Sequence, residues 1–255
     1  MKNSLLYILL CLLVAISCKR KGELPPKIND VLLLAGDNSE ELVRTIHYFS
    51  GDSFKLKAAL FLIENLEDKY SYTGDSYNRL QDRIASFRSD TITDVESSEK
   101  YNKFIERFLA AEDKDFPRIA DARILKSSYL IEHIEESFKT QDLPWVRGRV
   151  SFDQFCRNVL PYKVGNEPVE DWHKAVSRDY GRLLDSLSSS NAIIMDVAKI
   201  LNDEIARRFE PSGSSKNAVN FDYTDLTRMR AGSCYDGVSL TLYVCDHLAF
   251  LSAWT

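Results

Sequence analysis

The sequence predicts a mainly α protein, with a helical region over residues 31–210 and a shorter module over residues 211–255 that carries a cysteine at the start of a helix. Three observations lead there. Apolar residues recur at three- and four-residue spacing through most of the first 210 positions. Strand-like alternation is scarce over the same stretch, and Pro, Gly and Ser gather in two places, residues 143–172 and 211–217. With 255 residues, 44% hydrophobic and 28% charged, the chain has ample material for a globular core.

Residues 1–17, MKNSLLYILLCLLVAIS, stand apart from the fold. Lys2 precedes an apolar run from Leu5 to Ile16 that is too short to span a bilayer comfortably, which predicts a secretory signal. Ala15-Ile16-Ser17-Cys18 resembles a bacterial lipobox. The resemblance implies that Cys18 becomes the lipidated mature terminus and that membrane lipid is a partner, in the envelope of a Gram-negative-type bacterium on its periplasmic or outer-membrane side. Lys19-Arg20-Lys21 would then lie against anionic headgroups, within a membrane-proximal linker over residues 18–30.

The net charge of −5 becomes −6 once Lys2 leaves with the signal, and no basic stripe is present, which excludes nucleic acid as a partner. Five cysteines become three after processing, Cys156, Cys234 and Cys245, and three thiols cannot all pair with one another. A leftover thiol is either a buried inert one or a reactive one. Without CxxC or a Cys/His zinc spacing, no metal is expected.

The helices follow in order. Ser39 with Glu40 and Glu41 gives a cap and an acidic first turn to a helix over 39–50. Residues 54–70 are apolar on most faces at Leu56, Leu60, Phe61, Ile63 and Leu66, which predicts a central helix. The pattern continues over 75–87, 96–111 and 118–138, with Pro117 at a helix start. A short helix over 153–159 interrupts the punctuated segment, and longer ones follow at 169–187 and 191–209. His47 and His133 stand alone in helical patterns and read as surface or satisfied structural histidines.

Ala231-Gly232-Ser233 forms a sharp turn of small residues before Cys234, and Val238, Leu242 and Cys245 then share one side of a helix. A thiolate in a helix's first turn is stabilised by the positive end of the dipole, and the unpaired N–H groups there can cradle an oxyanion. A small residue packed at a turn is the alternative reading.

The stretch TRMRAGSCYDGVSLTLYVC resembles the nucleophile region of the transglutaminase-like superfamily, with Gly232, Ser233 and Cys234 on its pattern. The stretch FCRNVLPYKVGNEPVEDW is similar to what precedes that domain in a group of bacterial exported proteins, so the likeness covers roughly residues 143–245. It implies a papain-like α+β fold, a Cys-His-Asp triad with Cys234 as nucleophile, and a protein or peptide substrate. It implies no cofactor, and no acidic loop of a calcium site is visible.

The family's His and Asp lie on strands beyond the cysteine helix, and that region is expected to be missing here, leaving the α+β module incomplete. His247 follows Cys234 by thirteen residues, roughly 20 Å along a continuous helix, whereas a base must stand within about 3 Å. After Cys245 the family's Arg-x-Leu-Gly-Ile-Pro is replaced by DHLAFLSAWT. An allowed codon choice for residues 245–255 reads Arg-Pro-Leu-Gly-Ile-Pro in a shifted frame, so residues 246–255 are expected to be out-of-frame translation; a TGT codon at Cys245 would exclude it. Two functions stand as expectations: an exported thiol enzyme for acyl transfer or amide hydrolysis, inactive without its base, and a membrane-tethered helical binding protein in which Cys234 is inert. The apolar face at Val238, Leu242 and Val244 is expected to stay exposed or to lie against the helical part.

Overall fold

The computed structural model describes residues 24–86, 100, 103, 107, 116–190, 192–211 and 220–248. The expected signal, the Cys18 anchor, most of the helix over 96–111 and residues 249–255 lie outside them. The described chain is mainly helical: α1 (Pro26–Ala35), α2 (Ser39–Tyr48), α3 (Ser53–Glu64), β1 (Tyr70–Tyr72), α4 (Asp75–Ser86), β2 (Arg118–Ala120), α5 (Ser127–Lys139), α6 (Phe152–Asn158), α7 (Trp172–Ser189), α8 (Ile194–Arg208), β3 (Glu210–Pro211), α9 (Tyr223–Met229), β4 (Ala231–Gly232) and α10 (Cys234–His247). Two small sheets join them, β1 antiparallel to β2 and β3 parallel to β4.

Local chemistry accounts for most of these elements. On α2, Leu42, Thr45, Ile46 and the following Phe49 recur at helical spacing and are buried, while Glu40, Arg44 and His47 face outward. Asp52 caps α3 by accepting from the amides of Phe54 and Lys55. Ser151 and Gln154 form a reciprocal capping box on α6. The central helix is α3, with Ala58, Ala59, Leu62 and Ile63 buried; of the five positions expected in its core, Ile63 and Leu66 are fully buried and Leu56, Leu60 and Phe61 partly so.

Three expectations need correction. Helix starts at Pro26, inside the stretch assigned to a linker, because Pro25 and Pro26 sit where a helix needs no N–H, and Ile28 and Val31 find a core to enter. Residues 118–120 are a strand and 121–123 a 3₁₀ turn, so α5 begins only at Ser127. The reason is Asp121, whose backbone N–H donates to the Lys69 carbonyl at 2.9 Å and whose side chain is drawn into the core. Lastly, the face of α10 divides: Val244 is buried, Leu242 is half-buried and Val238 is 55% exposed.

Residues 159–171 form no regular element, and side chains from the helices satisfy their carbonyls. Trp172 Nε1 donates to Tyr162 O at 2.8 Å, His133 Nε2 to Leu160 O at 2.8 Å and Tyr129 OH to Glu170 O at 3.1 Å. Beneath them lies a fully buried ion pair, Lys163 Nζ to Asp121 Oδ2 at 2.5 Å. Ser71 Oγ and Tyr162 OH each donate to the same carboxylate at 2.6 Å, and Lys163 also donates to Tyr70 O at 2.7 Å. Burial pulls the Lys163 ammonium below its ordinary range while Asp121 pulls it up. Removing one partner of such a pair leaves a bare buried charge. Lys163→Met should therefore lower the unfolding free energy by about 3–5 kcal/mol in urea titrations, and Asp121→Asn added to it should recover part of that loss.

Candidate functional site

Cys234 is the first residue of α10 and its side chain is exposed, while Cys156 and Cys245 are buried; all three thiols are free. Burial pushes the Cys156 thiol up to about 11 and the Cys245 thiol up to about 12, which makes both poor nucleophiles at neutral pH. The two buried cysteines thus take the inert reading, and Cys234 is the accessible thiol of the three.

The residues before Cys234 hold its backbone in place. Ser233 caps the helix, and the Asp236 carboxylate accepts from Ser233 N at 2.8 Å and from Ser233 Oγ at 2.7 Å. Asp236 is fully buried at the positive end of the helix, where its charge is favoured. Gly232 is required by this arrangement. A Cβ there would lie 2.7 Å from Asp236 Oδ2 and 3.0 Å from Phe209 Cζ. The parallel pairing of Glu210 with Ala231 and Pro211 with Gly232 anchors the turn, and Arg230, in the left-handed region at φ 51°, ends α9 just before it. The Asp236 amide bonds to Ser233 Oγ and the Gly237 amide to Ser233 O, so the amides of Cys234 and Tyr235 remain for an oxyanion, without a partner among the described residues.

What the site lacks is a base in contact. Among the described residues no side chain bonds to the Cys234 thiol. The helix runs unbroken to His247, which keeps that imidazole roughly 20 Å away as the residue spacing requires. His47 is exposed on α2, which packs on α1, α3 and α5.

The other three histidines meet in a cluster on α5, α7 and α10. His173 Nδ1 lies 2.8 Å from His247 Nδ1, and the rings of His133 and His173 are 4.8 Å apart. The proton positions follow from the partners. Ser137 Oγ donates to His133 O at 2.8 Å, so in its 3.4 Å contact with His173 Nε2 it accepts. His173 then accepts at Nδ1 from His247 Nδ1–H, and His247 Nε2 accepts from Ser177 Oγ at 3.1 Å. All three rings are neutral in this pattern. Burial holds His133 and His247 down to about 4 and His173 well below its ordinary value. Among the described residues no group of three or more His, Cys, Asp or Glu side chains is arranged to hold a metal ion.

Sequence reasoning missed this cluster because its members are 40 and 74 residues apart and only packing unites them. It also missed an acidic pair at the start of α9. Burial first, then its acidic neighbours, push Asp222 up to about 8. Burial also pushes Asp225 up to about 6, and its Oδ2 has no hydrogen-bond partner among the described residues.

The histidine burial has a pH signature. As pH falls below 6.5 the unfolded chain takes up a proton at His133, but the folded chain does so only near pH 4, so stability is lost across that window. Gln at this position keeps a donor for Leu160 O and cannot titrate. The unfolding free energy of His133→Gln, relative to the unsubstituted chain, should shift in the variant's favour by about 3 kcal/mol between pH 6.5 and pH 4, read from urea titrations at each pH.

Comparison with family models, with curated proteins and with solved structures finds no match.

Proposed function

We propose that this is an exported, lipid-anchored protein of the transglutaminase-like kind, held in the cell envelope through Cys18, with Cys234 as its acyl-accepting nucleophile. The observation that carries the reading is the seat of Cys234: an exposed thiol at the first position of a fourteen-residue helix, with a buried capping box beneath it and two unspent amides beside it. In the reaction the thiolate attacks the carbonyl carbon of a carboxamide or peptide bond. A C–S bond forms, the amides of Cys234 and Tyr235 take the developing oxyanion, and the C–N bond breaks only as solvent water protonates the leaving nitrogen. Water or an amine then attacks the thioester and releases the thiol.

The leaving nitrogen needs a proton donor, and none bonds to Cys234 among the described residues. An amine is a poor leaving group without one, whereas p-nitrophenolate leaves unaided. The proposal therefore separates two substrates. A membrane-tethered helical binding protein with an inert Cys234 is the second reading, favoured by the distance of the histidine cluster and by the half-exposed Tyr235 and Val238 on the same helix.

Treatment with p-nitrophenyl acetate should place an acetyl thioester on Cys234, seen as a mass increase on its peptide, in clear preference to Cys156 and Cys245. Cys234→Ser should abolish the thioester. Glutamine-containing peptides should release ammonia at least a hundredfold more slowly than the ester reacts. Acetylation spread evenly over the three thiols, or absent from Cys234, would sink the nucleophile assignment and leave the binding reading.

A further inference from the structure

A cavity of about 220 Å³ lies away from α10, between the C-terminal turn of α3, helix α6 and the irregular stretch that carries the buried ion pair. Phe61, Leu62, Pro161 and Tyr162 make its apolar wall. Apart from the Cys156 thiol and the Tyr162 phenol, its ionisable groups are cations, Lys69, Arg157 and Lys163. No carboxylate of the described residues lines it. From this geometry we infer a binding site for a small carboxylate with an apolar body, such as a short-chain acyl or an aryl carboxylate.

The three cations divide the work. Lys163 has its donors committed to Asp121, to the Tyr70 carbonyl and to Ser71 Oγ at 3.2 Å, and Asp121 offsets its charge, so it fixes the wall without offering a bond. Lys69 is exposed and makes no ion pair among the described residues. Arg157 spends Nε on Asp153 at 3.1 Å and keeps both terminal amino groups. Asp153 offsets part of the Arg157 charge from outside the cavity, which leaves Lys69 as the stronger attractor. The Cys156 thiol, pushed up to about 11 by burial, stays protonated and adds no negative charge.

Size limits the occupant. The cavity has room for about seven waters at roughly 30 Å³ each, which suits a six-carbon body with its carboxylate at the mouth beside Lys69 and Arg157. Ligand sites of this kind are concave and mainly apolar with a few polar groups that orient the ligand. Free amino acids fit poorly, because their ammonium group would face cations. The site shares no residue with the Cys234 helix, so it stands or falls apart from the thiol chemistry.

Calorimetric titration of the full chain with benzoate, with benzamide as its uncharged counterpart, tests the inference. Benzoate should bind with a Kd below about 1 mM, and benzamide at least tenfold more weakly. The double variant Lys69→Glu/Arg157→Glu changes exposed side chains only and should keep the melting curve, while weakening benzoate at least tenfold. Backbone amide shifts on adding benzoate should centre on Asn65, Cys156 and Lys163. No heat from benzoate up to about 10 mM, undiminished binding by the charge-reversed variant, or shifts centred elsewhere would each overturn the inference.

Discussion

The ion pair between Asp121 and Lys163 is the constraint on which the rest of the structure depends. Both side chains are fully buried, and neither charge is tolerable there without the other. The pair takes in Ser71 from β1 and Tyr162 from the irregular segment, which fixes the β1–β2 sheet against residues 159–171. Four residues beyond Lys163, the buried Glu167 carboxylate accepts from the amides of Val164 and Gly165 at 2.6 and 2.7 Å and from Tyr243 OH at 2.6 Å. Tyr243 belongs to α10. The helix that presents Cys234 is thus tied by side-chain bonds to the centre of the helical region, although some 70 residues separate the two in sequence.

This linkage changes how the second module is to be understood. The cysteine helix, expected to stay exposed or to lie against the helical part, packs on α7, α8 and α9, and its inward face is Leu240, Tyr243 and Val244. Capping and packing together hold the Cys234 end: Asp236 is buried beneath it, and Phe209 closes on Gly232. At the other end Trp145 Nε1 donates to Leu248 O at 3.2 Å, and His247 joins the histidine cluster. The nucleophile proposal rests on the first end only. The histidines at the second end are neutral, with His133 and His173 buried and His173 hydrogen-bonded to His247, which is the chemistry of a structural cluster.

Much of the helical fold was legible because amphipathic spacing and caps act locally. The apolar spacing of Leu42, Ile46 and Phe49 on α2 is a signal carried within a turn or two of the chain, although Ser39, expected as the cap, is the first residue of the helix, and no side-chain cap bond forms there. The start of the helix at Cys234 was legible for the same reason, since a small-residue turn before a helix declares itself in four residues. The strand at Arg118–Ala120 was not, because its partner is β1 some fifty residues earlier and the segment alone reads as helix. Nor was the role of Lys163: a lysine between Tyr162 and Val164 looks like any loop cation until packing brings Asp121 to it. The early start of α1 shows the limit of reading residues 18–30 from their place beside the expected anchor, since Pro26 opens a helix once Ile28 has somewhere to go.

The central claim is that the Cys234 helix and the Asp121–Lys163 centre form one cooperative unit. Native-state hydrogen exchange at increasing urea measures this directly. The account predicts that slow amides in α10, in β1 and β2 and in residues 163–167 converge on a single opening free energy and lose protection together. An α10 that opens separately, at a free energy well below that of the strands, would contradict it.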